Sequence, residues 1–218
     1  MKVKIQTIEK LEDYLVADLA WRKKEMISLK ILVEKDKVNE PILLRSGIAL
    51  LCAHFEGYIK KGCNSYIAYV ASQNEEYAEL KDVFAALKME KEFSACAKSE
   101  KHSRHSNLIK KYREMQNLKF RMDYVEEKPI ISTKANPSSE ILKEMLFSIG
   151  IDSDIFETKT NYIDSNLLAE RHRVVHGERS ELEKKDFLST YEIIIAILDE
   201  FKELVIDSAK NKVYLKAV

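Results

Sequence analysis

Little in this sequence of 218 residues interrupts a helix, because it holds only 5 glycines and 3 prolines. So few breakers exclude a sandwich or barrel of short strands, where turns recur every few residues, and favour long helices. Cysteine is as scarce. Cys52, Cys63 and Cys96 form no CxxC pair, and an odd number argues against a disulfide framework. The cytoplasm is the expected compartment. Charge of one sign is also missing: 36 Lys and Arg stand against 36 Asp and Glu. The whole chain therefore exerts no attraction on nucleic acid, and any such affinity must come from a local patch. Met1 to Gln6 begin no secretory signal. The longest unbroken apolar runs, Ile48 to Ala53 and Ile193 to Leu198, fall far short of the roughly 20 residues that cross a bilayer, so no membrane partner is expected. There is no Walker loop, dinucleotide glycine pattern or nucleophile elbow, which leaves nucleotide-driven chemistry without support.

What is present is apolar periodicity in a chain one third charged. Its length suits one sizeable domain that buries roughly 70% of its unfolded surface. Thr7 can cap a first helix whose stripe runs Ile8, Leu11, Leu15, Leu19, Met26, Leu29 and Val33, interrupted only by Arg22. Asn39 with Pro41 just inside predicts a second helix reaching about Ala71. Its segment Ile42 to Ile59 is apolar on nearly every side, which makes it the expected central element. Arg45 and Glu56 share one face of it, with Cys52 between them. Helices are expected from about Tyr77 to Phe93 and from about Ser106 to Tyr124. Pro129 and Pro137 bracket a loop, and Ser138 or Ser139 caps a short helix, Ile141 to Ile149, before Gly150. Residues 152–160 are expected as a connection to a helix starting near Asn161 or Tyr162. The last helix, about Lys185 to Ala209, is apolar through Tyr191, Ile194, Ile195, Leu198, Phe201 and Val205. The expectation is an all-α bundle of about five to seven helices forming one domain over 1–218. Its core helices lie at about 7–72 and 161–210, and an irregular insertion at about 73–160.

The segment from Leu167 to Gly177 carries the most chemistry. Ile163, Leu167, Val174 and Val175 form one apolar stripe, and Arg171 falls inside it. An unpaired guanidinium is costly to bury, so Arg171 needs a carboxylate, with Glu170, Glu56 and Glu25 as candidates, or an anionic ligand. His176 sits where the helix frays, because Gly177 can take the left-handed conformation that follows a helix end. The negative end of the helix dipole there favours a protonated imidazole. By spacing alone two readings stay open: a structural ion pair with a capping histidine, or a small metal-free site that cleaves phosphodiesters. Arg22, Arg45 and Glu56 are likewise either core-braced ion pairs or supports for such a site. One local basic cluster exists, made of Lys98, Lys101, His102, Arg104, His105, Lys110, Lys111 and Arg113. It could follow a phosphate backbone or be a solvated helix end. His102 and His105 have helical spacing for a metal, but no Cys or carboxylate completes a ligand set, so zinc and other metals are not expected.

The run Arg171, His172, Arg173, Val174, Val175, His176 resembles the signature of HEPN ribonucleases, the helical RNA-cutting domains of bacterial toxin–antitoxin, phage-defence and CRISPR systems. Leu43 to Tyr58, with Trp21 to Glu25 before it, is similar to the first two helices of MAE-type HEPN nucleases, which are related to the RiboL-PSP group. The resemblance covers most of the chain. It implies a metal-independent endoribonuclease without cofactor, in which Arg171 and His176 are catalytic and His172 faces the site. It also implies attack by the ribose 2′-hydroxyl, leaving a 2′,3′-cyclic phosphate. One histidine cannot stand on both sides of phosphorus, so a homodimer with a composite site is implied, its interface supplied by the second and last helices. An antitoxin or defence-system protein is an implied partner. Two other classes stay open: a non-catalytic HEPN module that binds RNA or a nucleotidyltransferase, and a helical interaction protein with no RNA role. Glu178 stands where one HEPN toxin group has tyrosine two residues after the motif histidine.

Overall fold

Thr7 starts the first helix by accepting the Lys10 backbone N–H on its hydroxyl at 3.3 Å. The computed structural model describes residues 2–132, 138–179 and 182–217. From Thr7 onward, α1 (Ile8–Lys35) and α2 (Glu40–Ser72) run back to back, and α9 (Lys184–Lys210) packs against both. The stripe of α1 is buried as its spacing predicts, with Arg22 and Asp18 buried inside it. Pro41 lies in the first turn of α2, where its missing N–H costs nothing. α2 is the central element. α1 and α9 cover it, α6 (Ser139–Ser148) and α8 (Ala169–Val175) lean on it, and Gly62 lets the ring of Phe201 approach so closely that a Cβ would lie 2.4 Å from it. By length and mean hydropathy α2 would also suit a membrane span, but half of that window is buried within the fold, the position of a core helix.

Among the described residues there are nine α-helical segments, because two of the expected helices are divided. The helix expected over 77–93 begins only at Asp82 and breaks at Met89, giving α3 (Asp82–Lys88) and α4 (Glu90–Ala97). Residues before it are extended instead: the Tyr77 N–H donates to Leu118 O at 3.1 Å and the Phe120 N–H to Glu75 O at 2.9 Å. The helix expected over 106–124 is displaced in the same way to α5 (His102–Met115). Tertiary packing overrides helix periodicity here. Phe120, fully buried, is met edge-on by Tyr77 at 5.5 Å and Phe84 at 5.4 Å, an arrangement that needs both flanking stretches extended.

The connection expected over 152–160 is largely helical. A short 3₁₀ turn, Asp154–Phe156, buries Phe156 and leads into α7 (Glu157–Tyr162). The motif helix thus starts earlier than its periodicity predicts, and it widens through a π-helical segment, Ile163–Leu168, before α8. Ser138 caps α6 by accepting the Ile141 N–H at 3.1 Å, and Gly150 ends it at φ +73°. Pro137, expected to close the preceding loop, lies outside the described residues. One buried apolar cluster runs from Ile5 to Tyr214 and takes in both the long helices and the middle of the chain.

Candidate active site

The end of α8 is closed by a complete Schellman turn. Gly177 adopts φ +72°, its N–H donates to Val174 O at 3.2 Å, and the Glu178 N–H reaches back to Arg173 O at 2.9 Å. A Cβ on Gly177 would meet nothing within 4 Å, so only backbone conformation selects glycine there. His176 is the last residue before this turn and projects from it exposed, with its ring centroid 4.2 Å from that of His172. Arg45 braces the turn from outside, its guanidinium donating to the Glu178 carbonyl. A residue expected only as a possible support therefore holds the loop that follows His176.

Arg171 is half-buried and turned toward α2. Arg45, Cys52 and Glu56 are seven and four residues apart, which at about 100° per residue keeps them within roughly 20° of one line. The buried Cys52 thiol is pushed up to about 11 by burial, with Arg171 pulling it back and Glu56 adding to the rise. Both charges thus bear on one thiol, and the thiol itself is protonated and inert. Of the carboxylates considered for Arg171, Glu170 pairs with Arg173 at 2.7 Å and Glu25 approaches His54 at 2.8 Å. Glu56 lies on the face toward which Arg171 turns. Ile163 and Leu167 are fully buried, but Val175 is 59% exposed, so the apolar stripe of the motif helix runs out of the core beside His176.

Arg22 lies elsewhere. His54, two residues from Cys52, sits nearly opposite it on α2, and Arg22 is on that far side with its guanidinium 3.4 Å from His54 Nδ1. Gly57 admits it, since a Cβ there would lie 2.7 Å from Arg22 Nη1. Asp18 accepts from Arg22 Nε at 2.6 Å and from Trp21 Nε1 at 3.0 Å. Lys61 then joins Asp18 to Glu126, at 3.1 and 3.0 Å, and Tyr14 donates to Glu126. Burial raises the Asp18 carboxyl, but the hydrogen bonds from Arg22 and Trp21 outweigh it and leave the group below its usual range. For His54, burial and the Arg22 charge lower the pKa against the opposing pull of Glu25. Its Nε2, though 2.8 Å from Glu25, makes no aligned hydrogen bond. Sequence reading missed Asp18 and His54. The available signal for the first was its spacing of four residues from Arg22 on the same stripe; His54 had none, being a lone polar residue in an apolar run.

The basic cluster is divided by α5. Lys110 and Arg113 face outward with His102, and Lys110 is 3.8 Å from Glu114. Arg104 lies with Lys98 on the α4 side, Lys111 is paired to Glu92 at 3.0 Å, and Lys101 is the residue before the helix. His102 and His105 stand with ring centroids 6.2 Å apart. Among the described residues no three His, Cys, Asp or Glu converge as metal ligands.

Comparison with known proteins adds one finding. Residues 17–207 match the model of a family described as RiboL-PSP-HEPN. No curated protein and no solved structure matches. The match takes in most of α1, all of α2 to α8 and nearly all of α9, so the chain belongs to the RiboL-PSP-HEPN family, one of the HEPN domains, which are often ribonucleases.

Proposed function

We propose that this protein is a metal-independent endoribonuclease that cuts RNA by transesterification, acting as a homodimer in a toxin or phage-defence role under the control of a partner protein. The observation that carries the reading is the closed turn after α8, which presents His176 to solvent while Arg171, five residues earlier, stays half-buried on the same helix. A neutral His176 takes the proton of a ribose 2′-hydroxyl, whose oxygen attacks the adjacent phosphorus. The bond to the 5′ oxygen breaks, and that oxygen takes a proton from a second imidazole. Arg171 offers two parallel N–H groups to the phosphate oxygens, where charge builds in the transition state. In the composite site, the second imidazole is His176 of another copy.

Support for pairing comes from exposed apolar side chains at this end of the bundle. Leu32, Val38, Ile42 and Val175 are 52%, 89%, 69% and 59% exposed. Arg45 ties the start of α2 to Glu178, and Lys184 ties the start of α9 to Glu34 O at 2.9 Å, so these residues share one end with His176. Concentrated apolar exposure of this kind marks partner surfaces. The interface expected from the broad faces of α2 and α9 shifts accordingly, because those faces are covered by the core.

The test is product analysis on an RNA oligonucleotide and its counterpart with deoxyribose at the cut. The expected products are a 2′,3′-cyclic phosphate, or its opened form, and a free 5′-hydroxyl, with no cutting of the deoxyribose substrate and no inhibition by chelator. Fragments with 5′-phosphate ends or a strict magnesium requirement would overturn the mechanism. Binding of RNA without cleavage would select a non-catalytic RNA-binding HEPN module instead.

A further inference from the structure

A cleft of about 310 Å³ opens between the motif helix and the first turns of α9. It exists because α8 leans on α2 far more than on α9, and because the π-helical segment Ile163–Leu168 offsets the faces of the helix above and below it. Such segments are frequent at functional sites. Packed helices ordinarily meet through apolar side chains, yet this cleft is lined almost entirely by polar ones. Thr190, 2% exposed, forms its floor, with its hydroxyl donating to Asp186 O at 2.8 Å. The Tyr162 hydroxyl lies 3.2 Å from both Thr190 Oγ1 and Ser189 Oγ. On the opposite wall Glu170 and Arg173 stand side by side, joined at 2.7 Å.

Two carboxylates, Glu170 and Asp186, against one guanidinium make the cleft net negative, so it repels a phosphate and suits an uncharged group rich in N–H donors. The Watson–Crick edge of guanine presents one acceptor, O6, followed by two donors, N1–H and the N2 amino group. Arg173 beside the two Glu170 oxygens presents the complementary order, one donor and then two acceptors. Adenine, cytosine and uracil lack two adjacent donors on that edge. Arg173 is also within the motif, one turn before His176. We infer that this cleft receives a guanine base next to the scissile phosphate and makes the enzyme guanine-selective. The inference rests on the ribonuclease reading and names the base at that site.

The experiment uses the full chain carrying His176→Ala, so that binding is read without cleavage. Fluorescence anisotropy measures its affinity for four short single-stranded RNAs that differ at one central base. Guanine is expected to bind roughly tenfold tighter than the others. Glu170→Gln, which keeps the shape but replaces an acceptor with a donor, is expected to abolish that preference, and Asp186→Asn to reduce it, with thermal unfolding confirming that each variant folds. In the protein with His176 intact, mapped cuts are expected beside guanine and are expected to spread to other bases in Glu170→Gln. Equal affinity for all four RNAs, preference for another base, or guanine preference that survives both substitutions overturns the inference and leaves the ribonuclease reading standing. Failure to bind any of the RNAs overturns both.

Discussion

Replacing His176 by alanine separates chemistry from folding, because the structure assigns its side chain no part in holding the turn. The bonds that close the end of α8 are main-chain: His176 N–H to His172 O, Gly177 N–H to Val174 O and Glu178 N–H to Arg173 O. The imidazole is exposed and its recorded ring neighbour is His172. Removing it is expected to change stability by no more than about 0.5 kcal/mol, the range for exposed positions. In a chain of this size that is a melting shift of about 1–2 °C. The rate should respond very differently. A positioned acid or base contributes about 10²–10⁴ in rate, or about 3–5 kcal/mol of barrier. In a homodimer the substitution removes both groups at once. The assay is cleavage of an end-labelled RNA by wild type, by His176→Ala, by Arg171→Lys, and by an equimolar mixture of the variants after subunit exchange. Lysine keeps the charge of Arg171 but loses its planar two-point grip, so it should fail too. A folded His176→Ala protein that keeps more than a tenth of wild-type activity would refute the assignment. Variant protein that no longer melts cooperatively would instead make His176 a structural residue.

Four further outcomes follow from particular contacts. Arg45→Ala withdraws a charged hydrogen bond worth about 1.5–3 kcal/mol from the Glu178 carbonyl, so kcat should fall roughly tenfold with KM little changed; an unchanged kcat would show that the turn holds itself. Asp18→Ala leaves Arg22, 8% exposed, without its carboxylate and should cost about 3–5 kcal/mol in urea denaturation, a loss below about 1 kcal/mol meaning that Lys61 and water compensate. His54 is held below its ordinary value of 6.5, so the unfolded chain binds the extra proton first: stability should be full above that pH and fall as pH drops through the depressed folded value, with His54→Asn flattening the decline. Ile42→Asp places a charge in the exposed apolar end and should shift sedimentation from dimer to monomer while reducing cleavage; full activity in a proven monomer would defeat the composite site.

Helix content, caps and the central place of α2 were legible in the sequence, because each depends on neighbours within a few residues: Thr7 and Ser138 as caps, Pro41 in a first turn, Gly150 and Gly177 at helix ends. The motif was legible for the same reason, since Arg171 and His176 sit on one short helix. The middle of the chain was not. Whether 116–124 is helix or extended depends on Tyr77 and Phe84, which are distant in sequence but close over the buried ring of Phe120. The supporting residues separated on similar grounds. Arg22 and Arg45 look alike as arginines on apolar helices, and only the packing of α1 and α8 on opposite sides of α2 sends one to Asp18 and the other to Glu178. The basic cluster, contiguous along the chain, is divided because helix geometry turns neighbouring residues to different sides. Local spacing determined which elements form and where the chemistry sits along the chain. Which charges meet was decided by packing between elements, because burial forces each charged group to the partner that the fold brings within reach.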